Sequence, residues 1–504
     1  MQANLHKVAF RGIETLSVSV QVHMASGLPS MQIVGLADKA VTESRERVRA
    51  ALSSMGLALP PKRIAVNLSP ADVAKEGAHF DLPIALAILV AMGALPTDMT
   101  EDALVMGELS LDGSILQVAG VLPAAIAAAA ENLRLICPAA NGPEAVWAEG
   151  REIIAAPNLP ALINHLRGHQ LLPAPVQKPV TQTRRVRDMA ELKGQETARR
   201  ALEIAAAGGH NLLMIGPPGA GKSMLAARLP GLLPPLTAEE SLEVTMIHSL
   251  VGEVPPDEGL VTERPFREPH HSASMAALVG GGQKARPGEI SLSHRGVLFL
   301  DELAEFARPA LDSLRQPMET GEVVIARANN HIRYPAQFQL IAAMNPCRCG
   351  YLSDPARACS RAPDCGRNYM SRVSGPMLDR FDIILDIEEL SADQLLDNSR
   401  AEPSAPIQGR ILAAREKMAG RRISPDMPLV NARLSPDQLD RQMAISAAAL
   451  ELLKKALDQQ KLSARAYHKI LRVAASIRDL AVAEEIDTLH MAEAISYRLR
   501  PLQA

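Results

Sequence analysis

Apolar and polar residues alternate through LSVSVQVHM (16–24) and through RIAVNLS (63–69). Strand side chains point alternately to the two faces of a sheet, so this period of two predicts strands with one face in a core. The run from Leu82 to Pro96 is almost wholly apolar. It is too short to span a bilayer and predicts a buried helix. Alanine-rich helical stretches complete a mixed first region, residues 1–168. LLPAPVQKPVTQTRRVR (171–187) has no apolar period and is rich in Pro, Thr and Arg. It predicts a linker over 169–187. From Asp188 to about Leu390, short apolar runs alternate with helical stretches, the pattern of a parallel α/β sheet. SRAEPSAP (399–406) breaks the pattern again. Beyond it, AAALELLKKAL (447–457) and AYHKILRVAASIRDL (466–480) carry the 3.6-residue spacing of amphipathic helices. The expected division is 1–168, a linker, 188–398 and a helical 399–504.

Composition narrows the function classes. Hydrophobic residues make up 47% of 504 and net charge is −3. Packed cores are therefore expected, and any nucleic-acid surface must be a local patch. Aromatic residues are 3%, too few for an extended base-stacking platform, so DNA would have to be held by its backbone. The opening MQANLHKVAFRGIET lacks the layout of a signal peptide. With five cysteines in all, the expected setting is the reducing cytoplasm, with no membrane involvement.

NLLMIGPPGAGKSMLAARL (211–229) reads as a strand, a glycine-rich turn and a helix. Gly216, Pro217, Pro218, Gly219, Ala220, Gly221, Lys222 and Ser223 fit G-x-x-x-x-G-K-[ST]. Backbone N–H groups of such a turn cradle phosphates, the lysine reaches the β- and γ-phosphates, and the hydroxyl binds Mg²⁺. GVLFLDEL (296–303) is an apolar strand ending in Asp301 and Glu302. The first carboxylate can hold Mg²⁺ through water and the second can polarise the attacking water. FQLIAAMN (338–345) ends in Asn345, whose amide can reach the γ-phosphate or that water. ATP and Mg²⁺ are the expected cofactors, and nucleotide hydrolysis the expected chemistry.

Four cysteines crowd into NPCRCGYLSDPARACSRAPDC (345–365), spaced C-x-C-x₉-C-x₅-C, while Cys137 stands alone. In a reducing compartment Cys347, Cys349, Cys359 and Cys365 point to a metal rather than to disulfides. Four thiolates suit structural Zn²⁺. Free thiols and an iron–sulfur cluster are the alternatives. GEVVIARANNHIRYPAQF (321–338) holds two strand-like runs around Asn329-Asn330, a hairpin signal, with Arg327, His331 and Arg333 expected near its tip. These, with Lys284 and Arg286 in GGGQKARPGE (280–289), are the candidate DNA contacts. The alternative is ordinary solvated surface charge.

At these residues the chain resembles the ComM/YifB family of magnesium-chelatase-type AAA+ ATPases. RPFREPHHSASMAALVGGGQKARPGEISLSHRGVLFLDEL (264–303) and SGPMLDRFD (374–382) carry the resemblance, which extends over nearly the whole chain. It implies an AAA+ core with a cysteine-rich insert at 346–366 and a helical lid. It assigns Lys222 and Ser223 to the first Walker motif, Asp301 and Glu302 to the second, and Asn345 to sensor 1. Arg380 becomes the arginine finger acting on a neighbour's nucleotide, and Arg465 becomes sensor 2. LKGQE (192–196) takes the adenine side. The implied assembly is a homohexameric ring, and the implied role is a DNA helicase or branch-migration motor in natural transformation. An alternative is a motor remodelling a protein partner, as chelatase subunits do. The first region resembles the proteolytic domain of Lon and the matching domain of RadA. KEGAHFDLPIALAIL (75–89) has no serine where Lon's nucleophile stands, and QVAGVLPAAIAAAA (117–130) has no lysine. A Ser–Lys pair needs both members, so the domain is expected to be protease-dead, with Ser69 and His79 structural or surface residues.

Overall fold

The computed structural model describes residues 2–498, apart from 178–186, 256–257, 283–284, 328–329, 353, 355, 397–400, 425–426 and 461. Much of the expected linker, and Lys284, therefore lie outside the described residues.

The first region is built on a seven-stranded sheet. Gln2–Arg11 and Glu14–Ala25 form an antiparallel hairpin, and Arg63–Ser69 pairs antiparallel with the latter. Ser30–Val34 lies parallel at one edge. On the other side Ala103–Val105, Arg134–Pro138 and Ile153–Ala156 run parallel. The alternation read in the sequence is the reason for the layering. Val18, Val20, Val22 and Met24 enter one core together with Leu5. Against them lies Asp81–Ala91, buried on every side. Val8 and Leu104 face the opposite layer, which is covered by Val121–Ala130.

The second region carries five parallel strands in the order Phe266–Arg267, Val297–Leu300, Gln339–Met344, Leu212–Ile215, Ile383–Asp386. The three central strands are buried throughout, which is why they read as unbroken apolar runs rather than as alternations. Because all five are parallel, their carboxyl ends share one edge, and this edge carries the phosphate loop, Asp301 and Asn345. The helices Ser404–Gly420, Ala447–Gln460 and Ala464–Leu480 pack with Glu196–Gly208 on the sheet through Ala205, Ile411, Leu453 and Val473, all in one apolar cluster.

Hydrogen bonds to Ser249 help join the first region to the second. Gly120 N donates to Ser249 O at 2.8 Å. The buried Glu144 carboxylate accepts from the Ser249 hydroxyl, and also from Leu122 N and Asn141 Nδ2 at 3.0 Å each. Burial pushes Glu144 up from the usual carboxylate range, and these donors oppose the shift. Among the described residues no helix is long and apolar enough to cross a membrane.

Candidate nucleotide site

Gly216 leaves the strand Leu212–Ile215 and makes the first bend of the loop. A Cβ there would lie 2.3 Å from Ile387 O, so only glycine fits between the strands. Gly221 caps the following helix in the left-handed region, and Lys222 opens it. The Lys222 ammonium is buried and donates to Gly216 O and Pro217 O at 2.7 Å and to Asn345 Oδ1 at 3.2 Å. Burial lowers its pKa, while Asp301 pulls it back up. These neutral acceptors hold the charge where the phosphates of a nucleotide are expected. Ser223 Oγ donates to Asp301 Oδ2 at 2.7 Å. Lys222, Ser223, Asp301 and Asn345, read from three stretches of sequence, thus stand together.

Glu302 follows with φ of +52°, a left-handed turn that is costly for a residue with a Cβ. Its carboxylate lies 3.1 Å from His271 Nδ1. Glu268 is also at this end of the sheet. Burial first, and then the Asp301 carboxylate, push it above the usual range. Carboxylates that repel one another beside a hydroxyl form an oxygen-donor set of the kind Mg²⁺ takes, so Ser223, Asp301 and Glu268 fit that ion. A bound Mg²⁺ would neutralise charge on the β- and γ-phosphates. His271 and Glu268 were not singled out in the sequence, although both lie inside the REPHHSAS stretch. Gln195 of LKGQE sits beside the loop, its Nε2 donating to Ala220 O at 3.3 Å and to Glu388 O at 2.8 Å.

Arg380 is elsewhere. It precedes the strand Ile383–Asp386, and its carbonyl accepts from Asn211 Nδ2 at 3.2 Å, so it stands at the amino edge of the sheet. Five residues of strand separate Asn211 from Gly216, about 16 Å at ~3.3 Å each. Its guanidinium pairs with Glu319. Arg465 lies at the start of Ala464–Leu480, where Lys469 donates to Phe381 O at 2.9 Å. Both arginines line one cavity of about 770 Å³, together with Arg415, Arg433 and Arg472 and no residue of the phosphate loop. Arg415 and Arg472 donate there to the carbonyls of Ala206 and Leu434. Such bonds satisfy donors without cancelling charge. Burial, and next Arg264, hold Arg415 down to about 10.

Three of the four cysteines, Cys347, Cys349 and Cys365, bring their sulfurs together. Cys347 and Cys349 sulfurs are 3.0 Å apart, and those of Cys347, Cys349 and Cys365 all lie within 4.8 Å of one another. Cys359, the fourth, adjoins Cys349 and Cys365. Tetrahedral thiolates about 2.3 Å from a metal are separated by about 3.8 Å, so the set fits such an ion.

The hairpin forms from Glu322–Arg327 and Asn330–Pro335. Arg327 pairs with Asn330, so Asn330 belongs to the return strand and not to the turn. Arg333 lies opposite Val324, away from the tip, and its guanidinium is 3.8 Å from Glu322. The expected cluster at the tip is corrected in this respect. The buried alternation of Val323, Ile325, Ile332 and Tyr334 sets the register. His331, Arg333 and Arg286 are exposed, and the side chain of Arg327 lies outside the described residues.

In the first region, Asp81 is consumed by an ion pair with Arg47, at 2.6 and 3.0 Å. His79 packs edge-on to Phe10, with ring centroids 5.8 Å apart. Sequence reading passed over Lys7, whose buried amine has no hydrogen-bond partner among the described residues and lies 5.4 Å from the Phe80 ring. Burial holds that amine well below its usual pKa. Its only signal is the parity it shares with the core residues Leu5 and Ala9.

A parallel sheet with the phosphate loop on one strand, a carboxylate pair two strands away and a polar tip on the strand between them is the core of an AAA+-type ATPase. The chain belongs to the magnesium-chelatase ChlI family. Residues 188–395 match the family model described as magnesium chelatase, subunit ChlI, 20–141 match subunit ChlI of Mg-chelatase, and 401–498 match its C-terminal part. Competence protein ComM of Haemophilus influenzae is 42% identical over 505 residues, covering 98% of this chain and 97% of that one. The uncharacterized protein YifB of Salmonella typhimurium is 41% identical over 498 residues, with 98% and 97% covered. The magnesium-chelatase 38 kDa subunit of Rhodobacter capsulatus is 30% identical over 182 residues, with 32% and 51% covered. The family implies ATP hydrolysis.

Proposed function

We propose that the chain is an ATP-hydrolysing motor that assembles as a ring, a hexamer in its simplest form, and acts on DNA. The carrying observation is the split between the two edges of the sheet. Lys222, Ser223, Asp301 and Glu302 stand at one edge, Arg380 and Arg465 at the other. In a head-to-tail ring the arginines of one copy meet the nucleotide of the next. ATP then lies on Gly216–Ser223 with its γ-phosphate at Lys222 and Asn345. Glu302 takes the proton of the attacking water, and Arg380 with Arg465 of the neighbour offsets the charge that develops. His271 holds Glu302 through its ring nitrogen until substrate draws the carboxylate to the water.

DNA as substrate is supported by the printed name of the Haemophilus relative, a competence protein. It is also supported by the exposed His331, Arg333 and Arg286 around the hairpin. Helicase or branch-migration activity is the finer form of this reading. Remodelling of a protein partner is the second reading, favoured by the chelatase names of the three family matches. The four-cysteine site is read as structural Zn²⁺ on Cys347, Cys349, Cys359 and Cys365.

The test is ATP turnover with no DNA and with single-stranded, duplex and four-way DNA. Branched or single-stranded DNA is expected to raise turnover. Arg333→Ala is expected to weaken DNA binding alike across sequences and to flatten the slope of log affinity against log salt by about one. Turnover indifferent to every DNA form, with an unchanged slope, contradicts the DNA reading and favours a protein substrate.

A further inference from the structure

The cysteine loop adjoins the nucleotide site at two places and is linked to it indirectly at a third. It leaves the sheet directly from Asn345, with only Pro346 before Cys347. Gly350 then turns at φ of +87°, and a Cβ on it would lie 2.4 Å from Pro218 Cδ and 2.7 Å from Cγ. Its backbone therefore rests on a proline ring of the phosphate loop at a distance only glycine allows. Farther along, Arg357 stacks over Tyr351 at 4.4 Å and grips both oxygens of Glu389, at 3.1 and 2.5 Å. The preceding carbonyl, that of Glu388, holds Gln195, which in turn donates to the loop carbonyl of Ala220. One insert thus adjoins the phosphate loop and Asn345, and it is linked to Gln195 only indirectly, through Glu389 and Glu388.

That insert has little core of its own. Leu352 lies over Gly366, where a Cβ would meet its Cδ2 at 2.4 Å, and Tyr351 lies under Arg357. Few other apolar groups are available between Cys347 and Cys365. Four thiolates drawn together without a counter-charge repel one another. The shape of the loop, and with it the pressure of Gly350 on Pro218, depends on what ties the sulfurs.

We propose that the cysteine knuckle is a positioning element of the ATP site, so that metal on the thiolates and nucleotide on the phosphate loop strengthen each other's binding. The inference rests on the nucleotide and metal readings above. Gly350 and Arg357 carry the coupling and touch neither ligand. A metal-tied loop holds Pro218 and Asn345 in the pose that accepts phosphate. A released loop frees both, and ordering them is then charged to nucleotide binding. Reciprocity follows: whatever factor metal adds to nucleotide affinity, nucleotide adds to metal affinity.

The experiment uses the full-length protein purified without added metal. Elemental analysis gives its metal content. Zn²⁺ affinity is measured by competition with a chromogenic chelator, with and without a non-hydrolysable ATP analogue. Analogue affinity is measured by fluorescence on metal-loaded and chelator-stripped protein. The expected result is one Zn²⁺ per chain and an equal increase in both affinities, within the range of about 5–150-fold typical of coupled sites. Arg357→Ala, a change on the exposed side of the loop, is expected to keep both ligands and lower the factor. Gly350→Ala is expected to lower it further. Lys222→Ala is expected to keep the metal and remove the effect of the analogue on it. Both ligands bound at full stoichiometry with neither affinity altered by the other overturns the coupling and leaves the two sites standing. Protein that binds the analogue but never Zn²⁺ overturns the coupling together with the metal reading. Protein that holds Zn²⁺ but binds no analogue overturns it together with the nucleotide reading.

Discussion

Glu302→Gln binds ATP as the parent does and turns it over about 10²–10⁴-fold more slowly, the range that a positioned general base contributes. The amide keeps the size of the side chain and the left-handed turn at φ +52°. It also keeps a hydrogen-bonding oxygen for His271, whose ring now stands 3.1 Å from the carboxylate. What it loses is the negative charge that takes a proton from water. The phosphate contacts of Lys222 and the Ser223–Asp301 pair are untouched, so affinity is expected to hold. Equilibrium binding of a fluorescent ATP and steady-state phosphate release separate the two effects. Turnover within a few fold of the parent would remove Glu302 from the mechanism.

Arg380→Ala is the second large effect. An arginine supplied by a neighbour to a transferring phosphoryl group is worth about 10³–10⁵ in turnover. In this chain the arginine stands at the amino edge of the sheet, held by Asn211 through its carbonyl and by Glu319 through its guanidinium. It cannot reach the phosphate loop of its own subunit. The loss is therefore expected only where copies are assembled, and ATP binding to Lys222 should survive it. If a single isolated chain hydrolyses ATP at the same rate with and without Arg380, the arginine has another role.

The contrast between these two residues shows what a linear reading reaches. Lys222 and Ser223 were legible from the glycine-rich motif that follows an apolar run, and Asp301 and Asn345 because each follows the end of one; parallel strands bring such ends to one edge. Sequence reading placed Arg380 just before a strand, and the structure puts that position at the opposite edge; the order of the strands was not legible. That order is set by crossovers that no local period records. Glu268 and His271 went unnoticed because the stretch around them has no period. Their partners are Asp301 and Glu302, some thirty residues away. The hairpin was legible as two strands, but its turn was assigned one residue too late. Asn-Gly-like signals outweighed the buried alternation of Val323, Ile325, Ile332 and Tyr334, which fixes the register. Lys469 lies in the amphipathic stretch 466–480 and was not singled out. It is buried 3.4 Å from Asp382. Burial alone would raise that carboxyl, but Lys469 and His210 outweigh it and hold the acid below the usual range. The contact of Gly350 with Pro218 lies beyond sequence reading, since a glycine in a cysteine-rich loop announces a turn but not what it rests on.

A working ATP site is expected to be assembled from two copies of this chain. Lys222→Ala cannot hold ATP but keeps Arg380 and Arg465. Arg380→Ala holds ATP and Glu302 but lacks the finger. Mixed in equal amounts and allowed to exchange subunits, the two inactive variants place an intact phosphate loop against an intact arginine at about a quarter of their interfaces. Phosphate release by the mixture is expected to recover toward that fraction of the parent rate. A mixture that co-assembles yet stays as inactive as either variant alone would contradict the shared site.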